Sequence, residues 1–282
     1  MKIAGERPEP IPVYAEMSSI NPVVLLPGAL AAKTETLAKE FVGSLTLGTG
    51  QFCTNPGFLL ALAGPDLDRF IAAAAEALKQ VVPSVMLTAG IHAAYESHID
   101  RLLQHSQITV IGRGDAAAGL HCGRAALFAV DAAAVLQQPE IAEEVFGPSS
   151  VIVRCANETE LLNVIARLEG QLTATLHFVD HDTHLAQSLL TALEGKVGRL
   201  VANSWPTGVE VCHAMVHGGP YPATADGRST SVGTLAIERF LRPVCYQDFP
   251  DALLPAPLRR DAVAAHPHRY DGEYRLGAPN QK

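Results

Sequence analysis

The feature that most limits the folds open to this 282-residue chain is an alternation of two hydrophobic patterns. Short, nearly continuous apolar runs recur along it: "VVLL" (23–26), "FLLALA" (58–63), "ITVIG" (108–112), "ALFAVD" (126–131), "SVIVRCA" (150–156), "TATLHFV" (173–179) and "RLVAN" (199–203). A strand that is apolar at every position is covered on both faces, whereas a strand with one wet face alternates. Longer stretches with helical periodicity lie between these runs. In "DLDRFIAAAAEALKQ", Leu67, Phe70, Ile71, Ala74 and Leu78 share one face. "NETELLNVIARLEG" does the same with Leu161, Leu162, Ile165 and Leu168; it opens on Asn157 and Glu160 at capping-box spacing and closes on Gly170. "HAAYESHIDRLLQH" and "THLAQSLLTALEG" are the other helical stretches. The alternation predicts an α/β fold, an open, largely parallel sheet flanked by helices. Beyond Asp248 the pattern gives way to proline and charge, which predicts an extended tail or a short docking segment over 248–282.

Composition narrows the function classes. The formal charge of −8 argues against nucleic acid or an anionic membrane as a main partner. No apolar run approaches the roughly 18 residues of a membrane helix. The opening "MKIAGERPEPIPVYAEM" has no apolar core of the kind a secretory signal needs, so none is expected. The five cysteines, Cys53, Cys122, Cys155, Cys212 and Cys245, are odd in number and scattered, with no C-x-x-C pair. Neither a disulfide framework nor a zinc site is suggested, and a reducing, cytoplasmic setting is expected.

Three places could carry chemistry. Cys53 sits in "GTGQFCTNPG", an irregular segment where glycines let a ligand approach and backbone N–H groups could hold a charge; the plainer alternative is an incidental loop thiol. Glu16, in "PVYAEMSSINP", follows an apolar "IPVYA" run read as a strand, so it would lie where open α/β sheets bind ligands. It could activate water there, or be a solvated strand-end charge. In "EIAEEVFGPSS", Glu140, Glu143 and Glu144 precede Phe146, which reads by itself as an acidic turn with an aromatic core residue. Two other patterns are set aside. His213 and His217 in "HAMVH" have the spacing of a helical metal pair, but "HGGPYP" follows at once and no third ligand is evident, so no metal is expected. "GTG" at 48–50 has Cys53 where a third glycine would complete a dinucleotide fingerprint, and no strand precedes it.

Taken in order, "AEMSSINP", "GQFCTNPG" and "EEVFGP" resemble the signature of the aldehyde dehydrogenase superfamily, and "NSWPTGVEV" and "HGGPYPAT" resemble its later segments. The resemblance runs from about Pro10 to Pro243. "IPVYAEMSSINP" and "MLTAGIHAAYE" fit best the bacterial members that oxidise 2-oxoglutarate semialdehyde (2,5-dioxopentanoate) and related aldehydes.

The resemblance implies a set of roles. Cys53 would attack an aldehyde carbon, with the oxyanion held partly by the cysteine N–H. Hydride would pass to NADP or NAD, leaving a thioester that Glu16 helps water to hydrolyse. Glu144 would bind the nicotinamide ribose, and Phe146 would pack near the nicotinamide. Where the family usually has Glu-Leu-Gly-Gly-Lys, this chain has Glu16-Met17-Ser18-Ser19-Ile20, so the serines are expected to reshape the nicotinamide pocket. Family members are roughly twice as long. The resemblance therefore implies a catalytic half: residues 1–22 as the end of a cofactor domain with the general-base strand, 23–247 as the catalytic domain, and 248–282 as the tail. Such a chain is expected to be poorly active alone, and to pair with a second copy or a separate cofactor-domain chain. The alternatives are a cofactor-independent thiol esterase, or a non-catalytic interaction module.

Overall fold

All seven apolar runs become strands of one sheet. The computed structural model describes residues 1–115, 119–263 and 265–277. Its strands are β1 (Val23–Leu25), β2 (Phe58–Leu62), β3 (Ser84–Val85), β4 (Thr109–Arg113), β5 (Cys122–Gly123), β6 (Ala126–Asp131), β7 (Ser149–Cys155), β8 (Gln171–His177) and β9 (Val197–Ala202). Its helices are α1 (Lys2–Gly5), α2 (Pro27–Thr46), α3 (Pro65–Leu78), α4 (Ala89–Gln104), α5 (Ala132–Gln137), α6 (Glu158–Arg167) and α7 (Thr183–Glu194). The main sheet has the order β4-β6-β7-β2-β1-β8-β9. Every neighbouring pair in it is parallel except β4 with β6, which run antiparallel across an irregularity between Val110 and Gly112. The chain is thus a doubly covered α/β sheet, and β3 and β5 form a separate small antiparallel ladder.

The period-two geometry of strands sorts the apolar residues into two cores. Val24, Leu60, Phe128, Val151, Val153 and Leu176 face one side, where Tyr95 and Ile99 of α4, Val135 of α5, Val164 and Ile165 of α6 and Leu189 of α7 cover them. Val23, Leu25, Leu59, Leu127 and Ile152 face the other, under Leu37 and Phe41 of α2 and Phe70 and Ala74 of α3. Each fully buried large side chain contributes about 1.5–3 kcal/mol relative to exposure. Asn157 caps α6 by accepting from the Glu160 N–H at 2.9 Å, while the Glu160 carboxylate reaches back to the Ala156 N–H.

Two local features depart from the sequence reading. The 20-residue helix α2 was not anticipated: its opening Pro27-Gly28 reads as a turn, and Lys33 interrupts its regular backbone at φ −142°. Its start is fixed from outside, because Asp182 accepts the Gly28 and Ala29 N–H groups at 2.9 and 3.1 Å, a carboxylate placed at the positive end of a helix. The "IPVYA" run is not a strand. Residues 11–15 are irregular, and only a single bridge ties Glu16 to Thr224, with Met17 N–H bonded to Ala223 O and Ala225 N–H to Ala15 O. With no second strand to ladder against, an apolar composition does not suffice to make a strand.

Phe240–Lys282 forms a unit of its own, separate from Met1–Arg239. Short turns at Asp251–Leu253 and Ala256–Leu258, one helical turn at Arg260–Val263 and a hairpin pairing His268–Tyr270 with Glu273–Arg275 lie within it. The segment read as an extended tail therefore carries local structure, and its last residues, 278–282, lie outside the described residues.

Candidate active site

The loop after α2 makes an unusual bend. Gly48, Thr49 and Gly50 are consecutively left-handed, at φ 54°, 60° and 66°, a region that glycine enters freely and threonine does not. A side chain at Gly50 would overlap the backbone of Gly147 and Pro148. The Asn55 amide donates to the Gly147 carbonyl at 3.1 Å, so the Cys53 loop is fastened to the segment that carries Glu144 and Phe146.

A buried polar network holds the same loop from beneath. The Asn21 amide, two residues before β1, donates to the carbonyls of Cys53 (2.9 Å) and Asn55 (3.0 Å). The Gln171 side-chain oxygen, at the start of β8, accepts from the Ile20 N–H at 2.7 Å and the Asn21 N–H at 3.4 Å, with the Ser19 hydroxyl 3.1 Å away. Ser19, which stands where the family pattern has glycine, is buried; its hydroxyl also accepts from the Leu172 N–H. This serine braces the floor of the site and also lines the cavity that Glu144 and Phe146 share.

The network places Cys53 beside two other groups. The sulfur of Cys53, the Glu16 carboxylate and a ring nitrogen of His217 all lie within 4.8 Å of one another. His217 Nε2 stands 2.7 Å from Glu16 Oε2 and 3.5 Å from Cys53 Sγ. His217 is itself pinned by its backbone: its N–H donates to Thr230 Oγ1, and its carbonyl accepts from the Ser231 N–H. The Gly218-Gly219 pair that follows packs backbone on backbone, so that a Cβ on Gly219 would fall inside the Gln171 carbonyl oxygen.

The charges follow from this geometry. The hydrogen bond from His217 holds the Glu16 carboxyl below its ordinary range, against the opposing effect of burial. Contacts with Cys53 and Glu16 push His217 up to about 9. Glu144 is raised, chiefly by burial, with hydrogen bonds from Ser18 and the Ser19 N–H (3.3 Å) pulling the other way. It shares with Phe146 the wall of a narrow cleft of about 20 Å³, and also lines a larger cavity of about 630 Å³ with Arg167 and Gln171. A carboxylate and an aromatic face on one cavity are suitable groups for a sugar hydroxyl and a flat heterocycle. Thiolate, imidazole and carboxylate are also a donor set that zinc accepts. However, the 2.7 Å between His217 Nε2 and Glu16 Oε2 is a hydrogen-bond length, shorter than the about 3.3 Å separating two ligands on a tetrahedral zinc.

The structure thus groups Cys53 with Glu16, and Glu144 with Phe146. It adds His217, which the sequence reading set aside as half of an unconvincing metal pair. His213, the other half, is exposed and bonds to Thr234. The available signal was His-Gly-Gly: two glycines in succession mark a close backbone approach, and the residue before them is held by it.

Comparison with known proteins agrees with the fold. Residues 1–240 match the family model described as "Aldehyde dehydrogenase family". The chain is 56% identical over 273 residues to alpha-ketoglutaric semialdehyde dehydrogenase 2 of Azospirillum brasilense, covering 97% of this chain and 52% of that protein. It is 45% identical over 258 residues to alpha-ketoglutaric semialdehyde dehydrogenase of Acinetobacter baylyi, covering 91% and 49%. Among solved structures, proline utilization A from Bradyrhizobium japonicum superposes with a TM-score of 0.70 at 22% identity, over 85% of this chain and 24% of that one. Gamma-glutamyl-gamma-aminobutyraldehyde dehydrogenase from Burkholderia cenocepacia gives 0.65 at 18% identity, over 80% and 45%. The chain belongs to the aldehyde dehydrogenase family. It spans about half the length of the curated relatives it matches. No helix among the described residues is long and apolar enough to cross a membrane.

Proposed function

We propose that this chain is the catalytic portion of an enzyme oxidising a semialdehyde, 2-oxoglutarate semialdehyde in the first instance, to its carboxylic acid. The observation that carries the reading is the convergence of Cys53, Glu16 and His217 in a chain of this family. The Cys53 sulfur adds to the aldehyde carbon and, after oxidation, holds it as a thioester. A bound nicotinamide dinucleotide, NADP or NAD, supplies the hydride acceptor. Glu16 takes a proton from the water that attacks the thioester. Glu144 and Phe146 hold the ribose and nicotinamide end of the dinucleotide. Ser18, bonded to Glu144, sets how far that carboxylate leans into the cavity.

The chain by itself is expected to bind dinucleotide weakly, because the matching half of its relatives is outside it. The test joins it, in one polypeptide, to the remaining half of the Azospirillum brasilense relative, and follows dinucleotide reduction with added semialdehyde. Aldehyde-dependent reduction that Cys53→Ser lowers by on the order of a thousandfold supports the reading. A joined protein that binds dinucleotide by calorimetry yet oxidises no aldehyde, or whose Cys53→Ser variant is as active, overturns it.

A further inference from the structure

We propose that His217 is a third catalytic residue of this site: a cation that keeps the Cys53 sulfur anionic both when it attacks a carbonyl carbon and when it leaves the acyl product. This rests on the reading of Cys53 as nucleophile and goes beyond it. The same nitrogen, Nε2, meets Glu16 at 2.7 Å and Cys53 at 3.5 Å, so one N–H serves both acceptors. His217 is 8% exposed, and it cannot swing aside freely. Thr230 and Ser231 hold its backbone, and a Cβ on Gly218 would stand 2.8 Å from the Ser229 carbonyl.

The groups facing the ring are the Glu16 carboxylate on the 11–17 segment and the Cys53 sulfur on the loop after α2. Arg239 acts on Glu16, and Cys53 on Arg199, each at one remove. An imidazole between a carboxylate and a sulfur keeps its proton through neutral pH, and the two contacts push it up to about 9.

Charge and electrons balance without moving that proton. In the attack, a sulfur lone pair forms the S–C bond and the carbonyl π pair moves to oxygen. In hydrolysis, Glu16 takes a proton from water, the water oxygen bonds to the acyl carbon, and the C–S bond breaks with its pair returning to sulfur. Glu16 then gives its proton to solvent. The sulfur departs as a thiolate beside the same N–H, so the leaving group needs no proton of its own. An unassisted thiol would have to lose a proton before each attack and gain one at each release.

The test uses the full chain, without aldehyde or dinucleotide, so its failure and that of a dehydrogenase assay are separate results. The chain is labelled with iodoacetamide near neutral pH and mapped by peptide mass. The exposed Cys212 and Cys245 serve as internal references. His217→Gln and His217→Asn are expected to slow labelling of Cys53 by about tenfold or more while both references are unchanged. They should also remove an ultraviolet thiolate band that Cys53→Ser removes. A Cys53 labelling rate unchanged in both variants overturns the proposal. A second readout needs no variant. Carbamidomethylation of Cys53 in the wild-type chain should lower the His217 titration, followed by NMR, by about one pH unit or more. An unmoved titration overturns the proposal equally.

Discussion

His217 and His177 are both almost fully buried, at 8% and 2% exposed, and each has one ring nitrogen without a partner among the described residues. Yet they titrate at opposite ends of the histidine range. His217 is pushed up to about 9 by Cys53 and Glu16. His177, at the end of β8 with its ring 4.6 Å from that of Trp205, is pushed down to about 4 by burial, with the charge of Lys33 adding to it. Burial alone expels the proton, and burial against anions retains it. One ring behaves as a piece of the core and the other as a fixed cation, and the difference lies in what faces them.

The largest effect that could break this contrast is at Glu16. Glu16→Gln should lower turnover of the joined enzyme by about 10²- to 10³-fold and move the His217 titration down from near 9, measured by NMR. A His217 that still titrates near 9 would mean that the sulfur alone holds its proton.

The pH dependence of stability sharpens the contrast, because the two signs differ. His217 has a folded value above its unfolded one, so its contribution is complete below about pH 6.5 and is lost as pH rises through about 9. Glu16 is depressed, so its contribution fades as pH falls below the ordinary carboxylate range. The urea midpoints of wild type and His217→Gln should therefore lie furthest apart between about pH 5 and 6.5, and converge above about pH 9. His177 is depressed, so the unfolded chain takes up a proton between about 6.5 and 4 that the native ring refuses, and stability falls as pH drops through that window. His177→Leu should spare the chain about 3 kcal/mol of that loss by pH 4, read as a smaller acid shift of its urea midpoint.

The smallest effect is at Trp205, which packs on both His177 and Phe41, the latter at 5.4 Å. Trp205→Leu should cost about 1–2 kcal/mol in urea. By admitting water, it should let the His177 titration rise from near 4. A titration that does not rise would show that Trp205 is not what keeps that ring dry.

The sequence carried the sheet more clearly than the site. Runs such as "SVIVRC" and "TATLH" could only be strands covered on both faces, and their order required parallel crossovers. Helix α2 was hidden because Pro27-Gly28 has the chemistry of a turn, while its actual start depends on Asp182, more than 150 residues away. Cys53, Glu16, Glu144 and Phe146 stood out through the ordered motifs they share with a family, not through local pattern. His217 did not, because its significance lies in the Glu16 and Cys53 side chains, which reach it through folding alone. A pattern within five residues, "HAMVH", invited a different and misleading pairing. Ser19 lines the cavity of Glu144 and Phe146, but that its hydroxyl also braces the floor through Gln171 and the Leu172 N–H shows only in the folded chain.

The side chain of Gln171 links this site to the sheet. Its oxygen accepts from the amides of Ile20 and Asn21, and Asn21 in turn holds the carbonyls of Cys53 and Asn55. Those amides can therefore exchange with heavy water only when the start of β8 lets go. Their protection should follow that of the β8 amides rather than that of the neighbouring irregular segments. In such a molecule the loop bearing the sulfur is no independent moving part; it opens when an interior strand opens, and its lifetime is the strand's.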